Sequence, residues 1–320
     1  MSRGVTILGA GAFGTAIATL LSNNGYKVIL WCYESEVAKE IQELKENRTY
    51  FPGIKLDKNI FATRNLKEAL SENKWVFQAI PVTFLRSILQ KVKLYVRQDH
   101  IFVSLSKGIE NDTFLFPTQV IQEVLGKKVR VAVMAGPTFA TELAQKYYTA
   151  ATVSASDEYV EKNLTLLLLS SYFKPEISND FIGVQVGGAI KNVIALAVGL
   201  VSHSLNTMTV ILTKGLGEIA LMAKHVGGNV ETVYGLSGFG DLVLTATGSM
   251  SKNLAMGRLL GSGKTLKEVQ GKLNVLPEGI NTVKSIYQLI GQYNLKMPIC
   301  KATYDIIFNG KPISQLYTNL

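Results

Sequence analysis

The chain has 320 residues, 47% apolar and 18% charged, and 33 basic residues against 24 acidic ones give a formal charge of +9. Length and apolar content exceed what one ordinary domain needs and exclude a disordered chain, so two globular domains are expected. The basic residues form no dense run and have no aromatic interleaving, which argues against a nucleic-acid partner and leaves a solvated surface and small phosphorylated ligands to account for them.

Other classes fall away in turn. Cys32 and Cys300 are the only cysteines, too few for a disulfide framework, and the cytoplasm is the expected compartment. His100, His203 and His225 are scattered without ligand spacing, so no metal is expected. The longest uninterrupted apolar stretches, Val193 to Val201 and Leu166 to Leu169, fall far short of the roughly 18 residues of a membrane span, and no stable membrane insertion is expected. The N-terminal apolar run is broken by glycines and closed by Asn23-Asn24-Gly25, which reads as mature protein rather than a signal peptide.

In chain order, Val5 to Leu8 predicts a strand, a helical pattern follows to about Leu21, and Val28 to Trp31 predicts a second strand. Runs at Trp75 to Ile80, Ile101 to Leu105 and Val129 to Met134 alternate with helix-length segments, and Ala150 to Ser154 and Ser171 to Ser178 are candidates for further strands. After Asp180 helical patterns are separated by glycine-rich turns. The expected architecture is α/β: a doubly wound, mostly parallel Rossmann-type sheet in a dinucleotide-binding domain over 1–180, then an all-helical C-terminal substrate and catalytic domain over 181–320.

Gly9, Gly11 and Gly14 form GxGxxG between the first strand and helix, where such glycines allow a tight turn, backbone approach to a pyrophosphate and close helix packing. A nicotinamide cofactor, NAD or NADP, is expected. The choice between them stays open, because Tyr33 can stack on adenine without discriminating, and Glu34 lies beyond the usual offset for a ribose acid and reads equally as a cap for the next helix.

Lys191 lies in Gly187-Gly188-Ala189-Ile190-Lys191-Asn192, a helix apolar on nearly every face whose small neighbours are expected to leave a pocket. Burial would lower its pKa toward the range of a proton-transferring group, which a hydride transfer at a secondary alcohol requires; the alternatives are a snorkelling lysine or a structural ion pair. Lys107 and Gly136-Pro137-Thr138 follow two predicted strands at their carboxyl ends, where open α/β sheets bind ligands. Asp241, inside a glycine turn, reads by itself as a helix cap. Ser251-Lys252-Asn253 precedes a helical pattern and suits a phosphate. Gly261-Ser262-Gly263-Lys264-Thr265 imitates a P-loop, but Arg258 stands where the first glycine belongs, so it is expected to be a turn with a Thr cap and no ATP is expected.

With Gly9, Gly11, Gly14, Ser106-Lys107-Gly108, Gly136-Pro137-Thr138-Phe139-Ala140, the Lys191 segment and Gly240-Asp241-Leu242 in this order, the chain resembles bacterial NAD(P)-dependent glycerol-3-phosphate dehydrogenases nearly end to end. Asn47, Tyr50, Pro52 and Pro277-Glu278-Gly279 resemble further family motifs. The resemblance implies reversible hydride transfer between the cofactor and dihydroxyacetone phosphate or sn-glycerol 3-phosphate, feeding phospholipid synthesis. It implies Lys191 as the proton-transferring residue with Lys107 and Asp241 beside it, and substrate contacts from Gly136, Thr138, Ser251, Lys252 and Asn253. Cofactor contacts are implied for Phe13, Lys107, Ala140, Lys252, Leu276 and Glu278. Lys252 and Lys214 replace two arginines usual in the family, and Tyr33 stands where a cofactor-selecting arginine or histidine often occurs. The partner is a small phosphorylated substrate, and a homodimer is compatible with the sequence. The rival readings are a nicotinamide-binding sensor with little turnover and a dehydrogenase of another phosphorylated hydroxy compound.

Overall fold

The computed structural model describes residues 4–270 and 276–318, which form two compact units. The first comprises the described residues up to Ser106, Pro117–Met134 and Thr138–Asn179; the second takes Lys107–Phe116, Ala135–Pro137 and the described residues from Asp180 onward.

The strands are β1 (Gly4–Leu8), β2 (Lys27–Trp31), β3 (Glu46–Asn47), β4 (Phe51–Lys55), β5 (Ile60–Thr63), β6 (Trp75–Gln78), β7 (Ile101–Ser104), β8 (Arg130–Ala135), β9 (Thr149–Ala155) and β10 (Phe173–Ile177). Between them run α1 (Ala12–Asn23), α2 (Ser35–Lys39), α3 (Leu66–Ser71), α4 (Val82–Val92), α5 (Pro117–Leu125), α6 (Ala140–Ala144) and α7 (Glu158–Leu168). Eight strands make one sheet in the order β10-β9-β8-β7-β6-β1-β2-β5, parallel from β5 through to β8 and again between β9 and β10. Helices cover both faces, which is why the central strands read as continuous apolar runs; every residue of β7 is buried.

The chain begins in the middle of the sheet, moves outward through β2 to β5, and returns to the other side of β1 as β6. That reversal creates a crevice at the carboxyl ends of β1 and β6, the place where such sheets bind ligands. Gly9 lies there with φ of 108°, and a Cβ on it would lie 2.9 Å from the Ala79 carbonyl oxygen.

Both sheet edges are blunted. β10 carries Pro175 between Lys174 and Glu176, and exposed Phe61 on β5 lies beneath the ammoniums of Lys27 and Lys45 at 5.1 and 5.4 Å. β5 and the antiparallel β3–β4 pair are additions to the sequence-based strand list, because Pro52, Gly53 and the exposed Phe61 erase the apolar runs that announce strands elsewhere.

The second unit is helical: α8 (Phe181–Leu200), α9 (Leu205–His225), α10 (Val230–Val233), α11 (Asp241–Thr247), α12 (Lys252–Gly261), α13 (Leu266–Gln270), α14 (Glu278–Tyr293), α15 (Pro298–Asn309) and α16 (Gln315–Thr318). Its axis is α8, buried from Gly183 to Leu200. An 18-residue window of this helix has the length and hydropathy of a membrane span, a signal that counting only uninterrupted apolar runs misses, and 89% of that window is buried inside the protein. The apolarity of α8 is therefore explained by helices packed around it. α12 approaches most closely through Gly199 and Gly257, where an added Cβ on either would overlap the other helix's backbone.

Caps fix the helix starts. Asp180 accepts N–H bonds from Gly183 and Asn229, both 2.8 Å, tying α8 to the start of α10. Thr265 and Glu268 form a reciprocal capping box at α13, with Gly263 at φ of 92° before it, so the P-loop imitation is a turn and cap.

Candidate functional site

In the first unit the candidate site is built from backbone. Gly11 is the N-cap of α1 and brings no side chain of its own to the helix start, the end of a helix that favours an anion. A Cβ added to Gly11 would meet nothing within 4 Å, and one added to Gly14 would collide with the Gly9 carbonyl oxygen. The turn is thus closed on its own side at Gly14 and open at Gly11, a cradle that fits a dinucleotide pyrophosphate. Phe13 is half-buried in the first turn of α1 and Ala140 opens α6. Thr138 is buried, and Tyr33 is 62% exposed after β2. Glu34 does not cap α2 with its side chain; its Oε1 accepts the Tyr50 hydroxyl at 2.8 Å.

In the second unit the candidate site is built from charged side chains. Lys191, in the middle of buried α8, donates from Nζ to Asp241 Oδ1 at 2.8 Å and to Thr245 Oγ1 at 2.6 Å. Lys107 donates to the other oxygen of the same carboxylate, Oδ2, at 2.7 Å and to the Gly136 carbonyl at 2.9 Å. Asp241 is the first residue of α11, yet its side chain bridges two ammoniums instead of capping the helix. Lys191 is a buried ion-paired lysine and does not snorkel.

Other chain segments pack against the glycines beside Lys191. A Cβ added to Gly187 would collide with the backbone of Ser237 and Gly238, and one added to Gly188 would lie 3.5 Å from the aliphatic stem of Lys107. Their smallness admits the two chain segments that carry Asp241 and Lys107 to Lys191.

Burial pulls the Lys191 ammonium down to about 8; the Asp241 carboxylate opposes the shift and the Lys107 charge adds to it. An amide chain surrounds this trio. Asn253 Nδ2 donates to Asn192 Oδ1 at 2.9 Å, Gly279 N–H donates to Asn253 Oδ1 at 3.1 Å, and Asn192 Nδ2 reaches the Lys107 carbonyl at 3.3 Å. Leu276 and Glu278 therefore stand at the start of a helix pinned to Asn253, and the Glu278 charge acts on Lys191. Ser251 caps α12 by accepting the Leu254 N–H at 3.1 Å, and Lys252 beside it is exposed.

Thr245 and Asn192 were not marked by sequence reasoning. Thr245 lies four residues after Asp241 on α11, and Asn192 is the neighbour of Lys191, so helix spacing carried a signal for the first. Glu218, one turn after Lys214 on α9, accepts N–H bonds from Ile299 and Cys300 at 2.6 and 2.9 Å and so anchors the start of α15.

A dinucleotide cradle and a buried lysine held by a carboxylate define the class as a nicotinamide-dependent dehydrogenase. Residues 4–161 match the model for the N-terminus of NAD-dependent glycerol-3-phosphate dehydrogenase and residues 180–318 match that for its C-terminus. The chain belongs to this family. A glycerol-3-phosphate dehydrogenase [NAD(P)+] from Bacillus velezensis is 37% identical over 99% of this chain and 93% of its own length. The crystal structure of the glycerol-3-phosphate dehydrogenase from Coxiella burnetii is 30% identical with a TM-score of 0.94, covering 98% of this chain and 97% of that one. The Saccharomyces cerevisiae glycerol-3-phosphate dehydrogenase structure is 27% identical, TM-score 0.86, over 100% of this chain and 99% of that one.

Proposed function

We propose that this chain is an NAD(P)-dependent glycerol-3-phosphate dehydrogenase, interconverting dihydroxyacetone phosphate and sn-glycerol 3-phosphate for phospholipid synthesis. The observation that carries this reading is the Lys191 ammonium, buried, shared between Asp241 and Thr245, and titrating at about 8.

A nicotinamide cofactor held at the Gly9 to Gly14 turn would supply or accept the hydride at the substrate's secondary carbon. Lys191 handles the proton. Two of its three N–H groups are engaged by Asp241 and Thr245, and in this reading the third meets the substrate oxygen. In reduction it donates a proton to the developing alkoxide; in oxidation the neutral amine takes the hydroxyl proton. A pKa near the working pH suits both directions. Asp241 holds Lys107 and Lys191 in fixed positions, and two ammoniums with one carboxylate leave a net positive charge that favours an anionic substrate.

Ser251, Lys252 and Asn253 at the start of α12 are the proposed phosphate contacts, with Gly136 and Thr138 beside the glycerol moiety. The reading assigns the cofactor to Gly9, Gly11, Phe13, Gly14, Tyr33 and Ala140, with Lys107, Lys252, Leu276 and Glu278. Two buried free thiols, Cys32 and Cys300, support a reducing compartment, the cytoplasm. The test follows reduced-nicotinamide absorbance after adding dihydroxyacetone phosphate. Oxidation that depends on this substrate is expected; its absence with both NADH and NADPH would remove the assignment.

A further inference from the structure

The carboxyl ends of β1 and β2 are linked by a hydrogen bond from Gly9 N–H to the Trp31 carbonyl at 3.1 Å, so the chain leaving β2 passes beside the glycine turn. Pairing with β5 continues one residue further, Cys32 N–H donating to Thr63 O at 2.9 Å, and the next side chains are Tyr33 and Glu34. Glu34 stands twenty residues after Gly14, which places it at, not beyond, the offset where dinucleotide-binding folds put an acid against the adenosine ribose.

The orientation of Glu34 is built in. Its Oε1 accepts the Tyr50 hydroxyl at 2.8 Å, and Tyr50 N–H donates to Asn47 Oδ1 at 3.0 Å. Asn47 is fully buried, its Nδ2 donating to the Ala10 carbonyl in the glycine turn at 2.7 Å and to Thr15 Oγ1 on α1 at 2.9 Å. The Asn47 to Tyr50 loop thus fixes the carboxylate relative to the pyrophosphate cradle. Burial, together with the hydrogen bond to Glu34 and its charge, pushes the Tyr50 phenol up to about 12, so it stays a donor. Glu34 Oε2 makes no hydrogen bond to another described residue and is left for a ligand hydroxyl.

A 2′-phosphate would need a cation here. The loop after β2 instead presents Tyr33, Glu34 and Glu36, and the Arg64 charge at the end of β5 acts on Glu36, whose carboxyl is held low by its own backbone N–H, the Ser35 hydroxyl and then Arg64.

We propose that Glu34, positioned by Tyr50, selects NAD over NADP by accepting a hydrogen bond from the adenosine ribose 2′-hydroxyl and repelling a 2′-phosphate. This rests on the reading of the Gly9 to Gly14 turn as the dinucleotide site. The test is fluorescence titration of the full chain with NADH and with NADPH, in the absence of substrate. The wild type is expected to bind NADH at least about tenfold more tightly, and Glu34→Gln to shrink that ratio by about tenfold, the usual worth of a hydrogen bond to a charged group. Tyr50→Phe should shrink the ratio in the same direction by less, whereas a purely structural role would weaken both cofactors alike and leave the ratio unchanged. A wild type that binds NADPH as tightly as NADH overturns the inference, as does a ratio that Glu34→Gln leaves in place. Failure of both cofactors to bind would overturn the dinucleotide site itself.

Discussion

The candidate site of the first unit is built from backbone, that of the second from side chains. At the Gly9 to Gly14 turn the useful groups are amides and the absence of Cβ atoms, so function is encoded by adjacent residues on one strand, turn and helix. Around Lys191 the useful groups are two ammoniums, a carboxylate and a hydroxyl drawn from Lys107, Lys191, Asp241 and Thr245, which tertiary packing assembles. Local encoding tolerates change in distant residues. Assembled charge does not, because removing the shared Asp241 carboxylate leaves a buried ammonium uncompensated.

The sharpest way to test that contrast is Asp241→Asn, the largest expected effect. With the carboxylate gone, Lys107 and Lys191 repel each other without a counter-charge, Lys191 in a buried setting. Loss of one partner of a buried pair costs about 3 to 5 kcal/mol, to be read from urea unfolding, along with loss of turnover. A variant as stable as wild type would mean that solvent already compensates these charges.

Lys191→Met comes next. Asp241 keeps Lys107 as partner, so folding and NADH titration should be nearly unchanged while turnover falls at least about 100-fold. Near-normal turnover would take Lys191 out of the mechanism. In the wild type, reduction needs the protonated amine and should decline as pH rises through about 8, whereas oxidation should rise through the same range. Stability has its own sign. Folded Lys191 binds its proton less tightly than an ordinary lysine, with its pKa of 10.5, so this residue's burial penalty is constant below about 8 and relieved as pH rises from there.

This contrast also explains what the sequence could disclose. Val5 to Leu8, Val28 to Trp31 and Ile101 to Leu105 were legible as strands because both faces are buried and the apolar runs are continuous. The β3–β4 pair and β5 were hidden by Pro52, Gly53 and Phe61. The glycine turn was legible as chemistry, since its motif is contiguous. Asp241 was not: local rules make it a helix cap, and only its meeting with Lys107, 134 residues earlier, and Lys191, 50 earlier, gives it another task. Family resemblance supplied that pairing where spacing could not. The glycines around Lys191 were noticed, but what fills the space beside them depends on segments far away in the chain.

Lys252 asks whether the lysine that replaces the family's usual arginine still reads phosphate. Lys252→Ala should weaken dihydroxyacetone phosphate by about ten- to a hundredfold and unphosphorylated dihydroxyacetone far less. Lys252→Arg should be tolerated, and a planar fork could tighten binding through a bidentate contact. Equal losses on both substrates after Lys252→Ala would argue against a direct phosphate contact.

The smallest expected effect lies in the first unit, at a second buried base that sharpens the comparison with Lys191. His100 is buried, its Nδ1 accepting the Arg97 N–H at 3.1 Å, and burial lowers its pKa below the ordinary 6.5. The Arg97 charge adds to that shift, while Asp99 and the carbonyls of Leu70 and Asn73 oppose it. Arg97 already occupies those carbonyls, donating to Leu70 O at 2.6 Å and Asn73 O at 3.4 Å, so a second cation there has little to bind. The unfolded chain therefore takes up this proton before the folded one does. His100's contribution is fully present above about 6.5 and is lost as pH falls below it toward the lowered folded value. Lys191 differs in its site: the same desolvation acts on a group with an anionic partner and a ligand to serve, whereas His100 only holds a turn. Urea midpoints measured from pH 7.5 down to about 5.5 should fall more steeply for wild type than for His100→Gln, which keeps an acceptor for Arg97 but cannot titrate. Identical slopes would mean that His100 is protonated in the folded protein as readily as in the unfolded chain.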